Sequence, residues 1–182
     1  MRNLAIKYIK SDFFRYAGNT SFPHMLIDYL KSPSFRFHVA FRFRQRGGCF
    51  LRLVGKVLWL FCHTRRHIQI SPSTKVGYGL YIGHGGPIIV SPSATIGNNV
   101  NLSQFTTIGS NHGHAAIIGD NTYIGPNCCI VEDVVIGNNV TIGAGSVVTK
   151  SIPDNATAVG NYAKVINYDN PGRYVNYRWI DI

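Results

Sequence analysis

Every sixth residue from Ile70 to Val148 is aliphatic, and no other feature constrains the fold of this chain so tightly. Counting in sixes gives Ile70, Val76 and Ile82, then Val90, Ile96, Leu102 and Ile108, then Ile118, Ile124, Ile130, Ile136, Ile142 and Val148. The count slips twice: two extra residues enter between Ile82 and Val90, and four enter between Ile108 and Ile118. Both insertions carry histidine, His84 in the first and His112 and His114 in the second. A regular scaffold interrupted where its titratable side chains sit marks those interruptions as candidate sites.

A period of six matches neither the 3.6 of an amphipathic helix nor the 2 of a half-buried strand; it matches a parallel β-solenoid built from hexapeptides. Each hexad is one short strand and one corner. The aliphatic residue points into the coil and stacks on its equivalents above and below, away from water. The position four later also faces inward and holds mostly small or β-branched residues, among them Thr74, Ala94, Val100, Thr106, Thr122, Cys128, Val140 and Ser146. Glycine follows the aliphatic residue at Gly77, Gly97, Gly119, Gly125, Gly137 and elsewhere, where a missing Cβ permits close approach. Asn98, Asn99, Asn121, Asn138 and Asn139 supply corner residues that tolerate the left-handed backbone region. A Gly-rich β-sandwich is the competing fold, and the regular register argues against it.

Of 182 residues, 45% are hydrophobic, enough for one solenoid and a smaller appendage. The net charge of +10 is unevenly placed. Residues 1–66 hold 13 of the 18 Lys and Arg against Asp12 and Asp28, giving +11, while residues 67–182 carry five basic and six acidic side chains, giving −1. The division expected is a basic helical region over 1–66, a β-helix domain over 67–166 and a C-terminal tail over 167–182. The tail has no repeat and is expected to pack on a neighbouring chain through Tyr174, Tyr177 and Trp179. Cys49, Cys62, Cys128 and Cys129 lack metal or disulfide spacing and read as a reduced, cytoplasmic set. The start, with Arg2, Lys7, Lys10 and Asp12, is unlike a signal peptide, and the apolar run from Cys49 to Cys62 is short for a bilayer and contains Arg52 and Lys56.

Within the basic region, Leu4, Ile6, Ile9, Phe13 and Tyr16 fall near helical spacing and stop at Gly18, and Ser21 with Pro23 opens a second helix through Leu30. Phe35, Phe37, Val39, Phe41 and Phe43 alternate as in a strand, but the Ser32-Pro33 start and Gly47-Gly48 stop favour a third helix. A fourth is expected from Phe50 to about Cys62. These helices read as a cap over the open first coil. Without a nucleic-acid-binding signature, basic residues among aromatics do not indicate nucleic acid. Arg42, Arg44, Arg46, Arg52, Lys56, Arg65 and Arg66 beside Phe50, Leu51, Leu58, Trp59 and Phe61 suit peripheral contact with an anionic membrane, at the inner face if the protein is cytoplasmic.

The recurring Ile-Gly-x-x-Val/Thr-x resembles the hexapeptide-repeat acyltransferases, which implies a left-handed parallel β-helix with three hexads per turn. Ile82-Gly83-His84-Gly85-Gly86-Pro87-Ile88-Ile89-Val90 looks like the catalytic coil of serine acetyltransferases, where a histidine in this place acts as general base. The chemistry requires one: an alcohol is a poor nucleophile at neutral pH, and an imidazole, which ordinarily titrates near 6.5, can take its proton as it attacks a thioester carbonyl. On this resemblance His84 is the base, and the backbone N–H groups of Gly85 or Gly86 stabilise the tetrahedral oxyanion. His114 matches a second active-site histidine of that family, and sugar acetyltransferases place their catalytic histidine near His112 or His114.

Serine acetyltransferases carry Asp before the first histidine and Arg before the second, to hold the amino acid's charges. Here Gly83 and Gly113 stand in those places, so a neutral polyol fits better than a zwitterion. Glycan-modifying members found with capsule and surface-polysaccharide enzymes resemble the chain throughout, including Pro72-Ser73-Thr74-Lys75-Val76-Gly77 and Val147-Val148-Thr149-Lys150. The closing coils, Ile142-Gly143-Ala144-Gly145-Ser146 onward to Gly160-Asn161-Tyr162-Ala163-Lys164, resemble those that bind coenzyme A. By that resemblance Ser110 and Ala144 line the pantetheine groove, and Thr149, Lys150 and Lys164 lie at its phosphate end. Tyr162 replaces the usual proline there, and Pro126 a common alanine. The family also implies a homotrimer with sites between chains, consistent with outward apolar Ile89, Tyr123 and Val135.

The expected function is therefore acetyl transfer from acetyl-CoA, without a metal, to a sugar hydroxyl of a capsular or other surface polysaccharide or its sugar-nucleotide or lipid-linked precursor. Serine O-acetylation is the alternative within the class. Outside it stand a zinc enzyme like the γ-class carbonic anhydrases, disfavoured by the narrow His112-x-His114 spacing, and a non-catalytic trimeric scaffold.

Overall fold

The computed structural model describes residues 4–66 and 68–180, with only the backbone described for residues 63–66. Four helices, α1 (Leu4–Ala17), α2 (Phe22–Lys31), α3 (Pro33–Arg46) and α4 (Cys49–Arg66), precede a run of short strands. Numbered in chain order, β1 (Ile68–Ile70), β4 (Ile88–Val90), β7 (Thr106–Gly109), β10 (Cys129–Val131) and β13 (Val147–Val148) form the first sheet. The second contains β2 (Lys75–Val76), β5 (Thr95–Ile96), β8 (Ile117–Ile118) and β11 (Val135–Ile136). The third contains β3 (Tyr81–Ile82), β6 (Asn101–Leu102), β9 (Tyr123–Ile124), β12 (Thr141–Ile142), β14 (Thr157–Val159) and β15 (Lys164–Asn167). From β1 to β13, strands three apart in sequence pair in parallel, so each coil contributes one strand to each of three walls; β14 then pairs in parallel with β12, and β15 closes the third wall antiparallel to β14. This is the expected left-handed parallel β-helix with helices at its N-terminal end.

All thirteen aliphatic residues of the six-residue beat are buried, as are the small or β-branched residues four positions on. Each fully buried Ile, Leu or Val contributes roughly 1.5–3 kcal/mol. Glycine after the aliphatic position is set by coil stacking: a Cβ on Gly119 would stand 2.6 Å from the Gly137 carbonyl carbon. Along the corner between the second and third walls, Asn99, Asn121 and Asn139 adopt positive φ as expected, together with Asn155. Asn98 and Asn138 do not. Their side-chain oxygens instead accept from the N–H groups of Tyr78 and Asp120 one coil away, at 3.1 and 2.8 Å.

The alternating apolar pattern of α3 has a physical reason. Phe35, Val39 and Phe43 form one i, i+4 stripe that packs with Ile9, Phe13, Met25 and Tyr29, while Phe37 and Phe41 form a second, about 200° round the helix, that joins the solenoid core. A helix sandwiched between two layers thus mimics a strand. The Ser32 hydroxyl accepts from the Phe35 N–H at 3.2 Å to cap α3, and Gly18, at φ 66°, ends α1. The fourth helix extends past the expected Cys62 to Arg66. Arg42, assigned from sequence to an exposed basic face, is fully buried against Asp12. Arg44 stacks over Trp59 at 4.8 Å, and the side chains of Arg65 and Arg66 lie outside the described residues.

The tail packs on its own chain. It runs back along the third wall, where the Asn101 Nδ2 donates to the Tyr174 carbonyl (3.0 Å), the Trp179 N–H donates to Asn99 Oδ1 (2.9 Å) and Trp179 meets Phe14 of α1. Tyr174 thereby covers Tyr123, at 4.9 Å between ring centroids, while Ile89 and Val135 stay exposed. Among the described residues no helix is long and apolar enough to cross a membrane.

Candidate functional site

The first insertion forms the corner between β3 and β4. Ile82 pairs with Leu102 and Ile88 with Thr106, so residues 83–87 span in the first coil what 103–105 span in the next. Gly85 has the left-handed conformation also seen at Phe105, Asn127 and Gly145 of the same edge. His84 adds a second left-handed residue, at φ 58°, costing on the order of 1 kcal/mol for a side chain with a Cβ. This bulge turns the imidazole outward, and His84 is exposed. Ser34, in the first turn of α3, abuts the corner: its Oγ lies 2.7 Å from where a Cβ on Gly85 would sit.

His84 lines a cavity of about 350 Å³. Its remaining walls are Tyr81, Gly83, Asn101, Ser103 and Tyr123 from the solenoid, Arg15 and Tyr16 from α1, and Tyr174, Asn176 and Tyr177 from the tail. None of these is acidic. Arg15 is spent on structure: its Nε donates to the Asn176 carbonyl (2.9 Å), Nη1 to the Gly79 carbonyl (2.8 Å) and Nη2 to Asn101 Oδ1 (2.6 Å). Burial lowers its pKa to about 10, so it stays charged at neutral pH. Tyr16 donates to the Ile82 carbonyl at 3.0 Å and accepts from the Ile82 N–H at 2.9 Å, and burial pushes its phenol far above the ordinary range. It is a fixed wall, not a proton carrier. The contributions of α1 and the tail were missed from sequence, because neither segment carries a repeat that places it against the third wall.

His112 and His114 lie at a different edge, between the first and second walls, with β7 between them and the His84 edge. A four-residue strand spans on the order of 10 Å, so one chain does not bring its two histidine sets together. The Ser110 hydroxyl donates to Glu132 Oε2 (2.7 Å), and the Asn111 and His112 N–H groups donate to the same carboxylate, both at 3.3 Å. The Ser110 hydrogen bond, then those from the loop N–H groups, hold the Glu132 carboxyl below its usual range. Ser110 thus organises the loop that presents His112 and His114, both exposed.

The cofactor candidates are divided in the same way. Thr149 and Lys150 follow β13 and share the Ser110 edge, whereas Ala144 follows β12 and shares the His84 edge. Lys164 begins β15. Ala144, Thr149, Lys150 and Lys164 are exposed, and Ser110 is partly so. A groove of about 510 Å³ reaches Ser110 along the first wall, between Trp59 and the Ser71-Pro72 and Ser91-Pro92 corners. Of the two oxyanion candidates, Gly85 already donates its N–H to the Gly83 carbonyl at 2.8 Å. Burial raises the Cys128 thiol, whose Sγ contacts the Gly143 carbonyl at 3.1 Å, which fits a core filler. Among the described residues no three His, Cys, Asp or Glu side chains come together as a metal set.

Comparison with known proteins agrees with this architecture. A family model described as bacterial transferase hexapeptide (six repeats) matches residues 115–150. The chain is 37% identical over 109 residues to the mitochondrial serine acetyltransferase 3 of Arabidopsis thaliana, covering 57% of this chain and 28% of that protein. It is 35% identical over 106 residues to a serine acetyltransferase of Staphylococcus aureus, covering 56% and 50%. The chain thus spans half or less of the length of these relatives. The crystal structure of Neisseria gonorrhoeae serine acetyltransferase in complex with serine superposes with a TM-score of 0.70 at 24% identity, over 91% of this chain and 70% of that one. Residues 115–150 carry the hexapeptide transferase repeat, and the solenoid is similar in sequence to these serine acetyltransferases and shares their left-handed β-helix fold.

Proposed function

We propose that this chain is an acetyl-CoA-dependent O-acetyltransferase with His84 as general base, acting on a neutral sugar hydroxyl of a surface polysaccharide or its precursor. The observation that carries the reading is the outward-bulged His84 at a cavity to which this chain contributes hydroxyl, amide and aromatic groups and no carboxylate, with the Arg15 guanidinium occupied by its own hydrogen bonds. Tyrosine faces and amide edges suit a pyranose, whereas serine brings an ammonium that would need an acidic partner. In the reaction the His84 imidazole removes the acceptor O–H proton as that oxygen attacks the thioester carbonyl. The Gly86 N–H, rather than that of Gly85, faces the developing oxyanion. Collapse breaks the C–S bond, the thiolate leaves, and the imidazolium returns the proton to give free coenzyme A and the acetyl ester.

Acetyl-CoA is the donor substrate. Small Ala144 admits the pantetheine arm, and exposed Lys150 and Lys164 offer positive charge to its phosphates. Because the candidates lie on two edges, we place the complete site between chains. In a homotrimer the His84 edge of one copy faces the Ser110, His112 and His114 edge of the next, and exposed Ile89, Ile117 and Val135 supply apolar contact.

Serine O-acetylation is the second reading, and the relatives' names favour it. Thiol release from acetyl-CoA separates the two. Under the first reading neutral hexoses or their polymers stimulate release and serine does not. Rapid release with serine alone would replace the sugar assignment, and failure to bind acetyl-CoA would remove the transferase reading.

A further inference from the structure

We propose that the outer faces of α2 and α4 form a docking surface for an anionic lipid bilayer. Along α4, Phe50, Leu53, Val57 and Phe61 recur at spacings of three, four and four, and each is at least half exposed. The opposite side of the same helix is already used. A Cβ on Gly55 would stand 2.8 Å from the Phe43 Cβ, and the Trp59 ring packs on Phe37 at 5.3 Å. The helix is therefore apolar on two faces, one packed and one turned to solvent. Phe22, Leu26 and Leu30 make a second outward stripe on α2, again each at least half exposed. Both helices pack on α3, α4 against Phe43 and Phe37 and α2 through Met25 and Tyr29 beside Phe35.

Charge selects the occupant. Between residues 22 and 62, Asp28 is the sole carboxylate against seven Lys and Arg. Arg42 is committed to Asp12, Arg44 lies over Trp59 and Arg46 over Tyr8 of α1, but Lys31, Arg52 and Lys56 lie on the two helices beside the stripes and are exposed. Outward apolar residues edged by basic side chains match the interface of a bilayer, where rings and aliphatic groups enter the acyl boundary and cations meet anionic headgroups. A second copy of this face would bring like charges together. With no described helix able to span the bilayer, the contact is peripheral.

The test is flotation of the full chain with phosphatidylcholine vesicles containing or lacking phosphatidylglycerol. The full chain floats with the anionic vesicles and is released by high salt. Leu53→Glu with Phe61→Glu, and separately Arg52→Glu with Lys56→Glu, each lower the bound fraction about tenfold while keeping the circular dichroism spectrum and acetyl-CoA binding. No flotation, equal flotation with neutral vesicles, or insensitivity to both double variants overturns the proposal. So does a lipid-free oligomer that dissociates on Leu53→Glu, because a second copy would then be the occupant.

Discussion

Asp12 of α1 and Arg42 of α3 meet in a two-point ion pair, Nε to Oδ2 at 2.7 Å and Nη2 to Oδ1 at 2.9 Å, sealed from solvent where the helices join the solenoid. The Leu80 N–H also donates to Asp12 Oδ1 at 2.8 Å, and Arg42 donates to the Gly77 carbonyl at 2.7 Å. The pair therefore ties the cap to the first coil. Removing one partner leaves the other charge buried, so Arg42→Leu is expected to lower unfolding free energy by about 3–5 kcal/mol in chemical denaturation.

The same carboxylate sets a pH dependence. Burial raises its pKa, but Arg42 and His38 outweigh burial and hold it below the ordinary value. A folded-state pKa below the unfolded one adds stability that is present above the unfolded value and lost as pH falls through the folded one. Melting temperature should therefore fall from roughly pH 4 downward. In Asp12→Asn that acid slope should be shallower.

Close coil stacking predicts a second stability effect. Gly119→Ala puts a methyl group 2.6–2.8 Å from the Gly137 and Asn138 backbone, which no rotamer relieves. The expected loss is about 1–3 kcal/mol by denaturant titration.

Tyr174 is expected to act on the acceptor rather than the donor. Its ring packs at a tilt against Tyr123 at the cavity wall, and its carbonyl is held by Asn101. Tyr174→Ala should raise KM for the acceptor several-fold, by loss of one aromatic wall worth about 1 kcal/mol, and leave KM for acetyl-CoA unchanged in steady-state kinetics.

The solenoid was legible because its period is local: Ile118 or Ile136 declares its direction by its place in the count, and two departures from the count located His84 and the His112–His114 loop. Contacts between distant segments were not legible. Arg42 counted as one more surface charge until Asp12, thirty residues earlier, was brought against it by packing. The tail's contacts within its own chain were not legible because nothing in Tyr174 to Trp179 encodes the asparagines it binds. The candidate residues divide between two edges of the prism for a geometric reason, since residues that follow strands of different walls occupy different edges.

The central claim is that His84 takes the acceptor proton in direct acetyl transfer. Its most direct test is single-turnover transfer from acetyl-CoA by the parent protein and by His84→Ala, alongside calorimetric acetyl-CoA affinity. Loss of a general base predicts a fall in the transfer rate of about 10²–10⁴-fold with donor affinity unchanged. A variant that transfers acetyl at the parent rate would contradict the account.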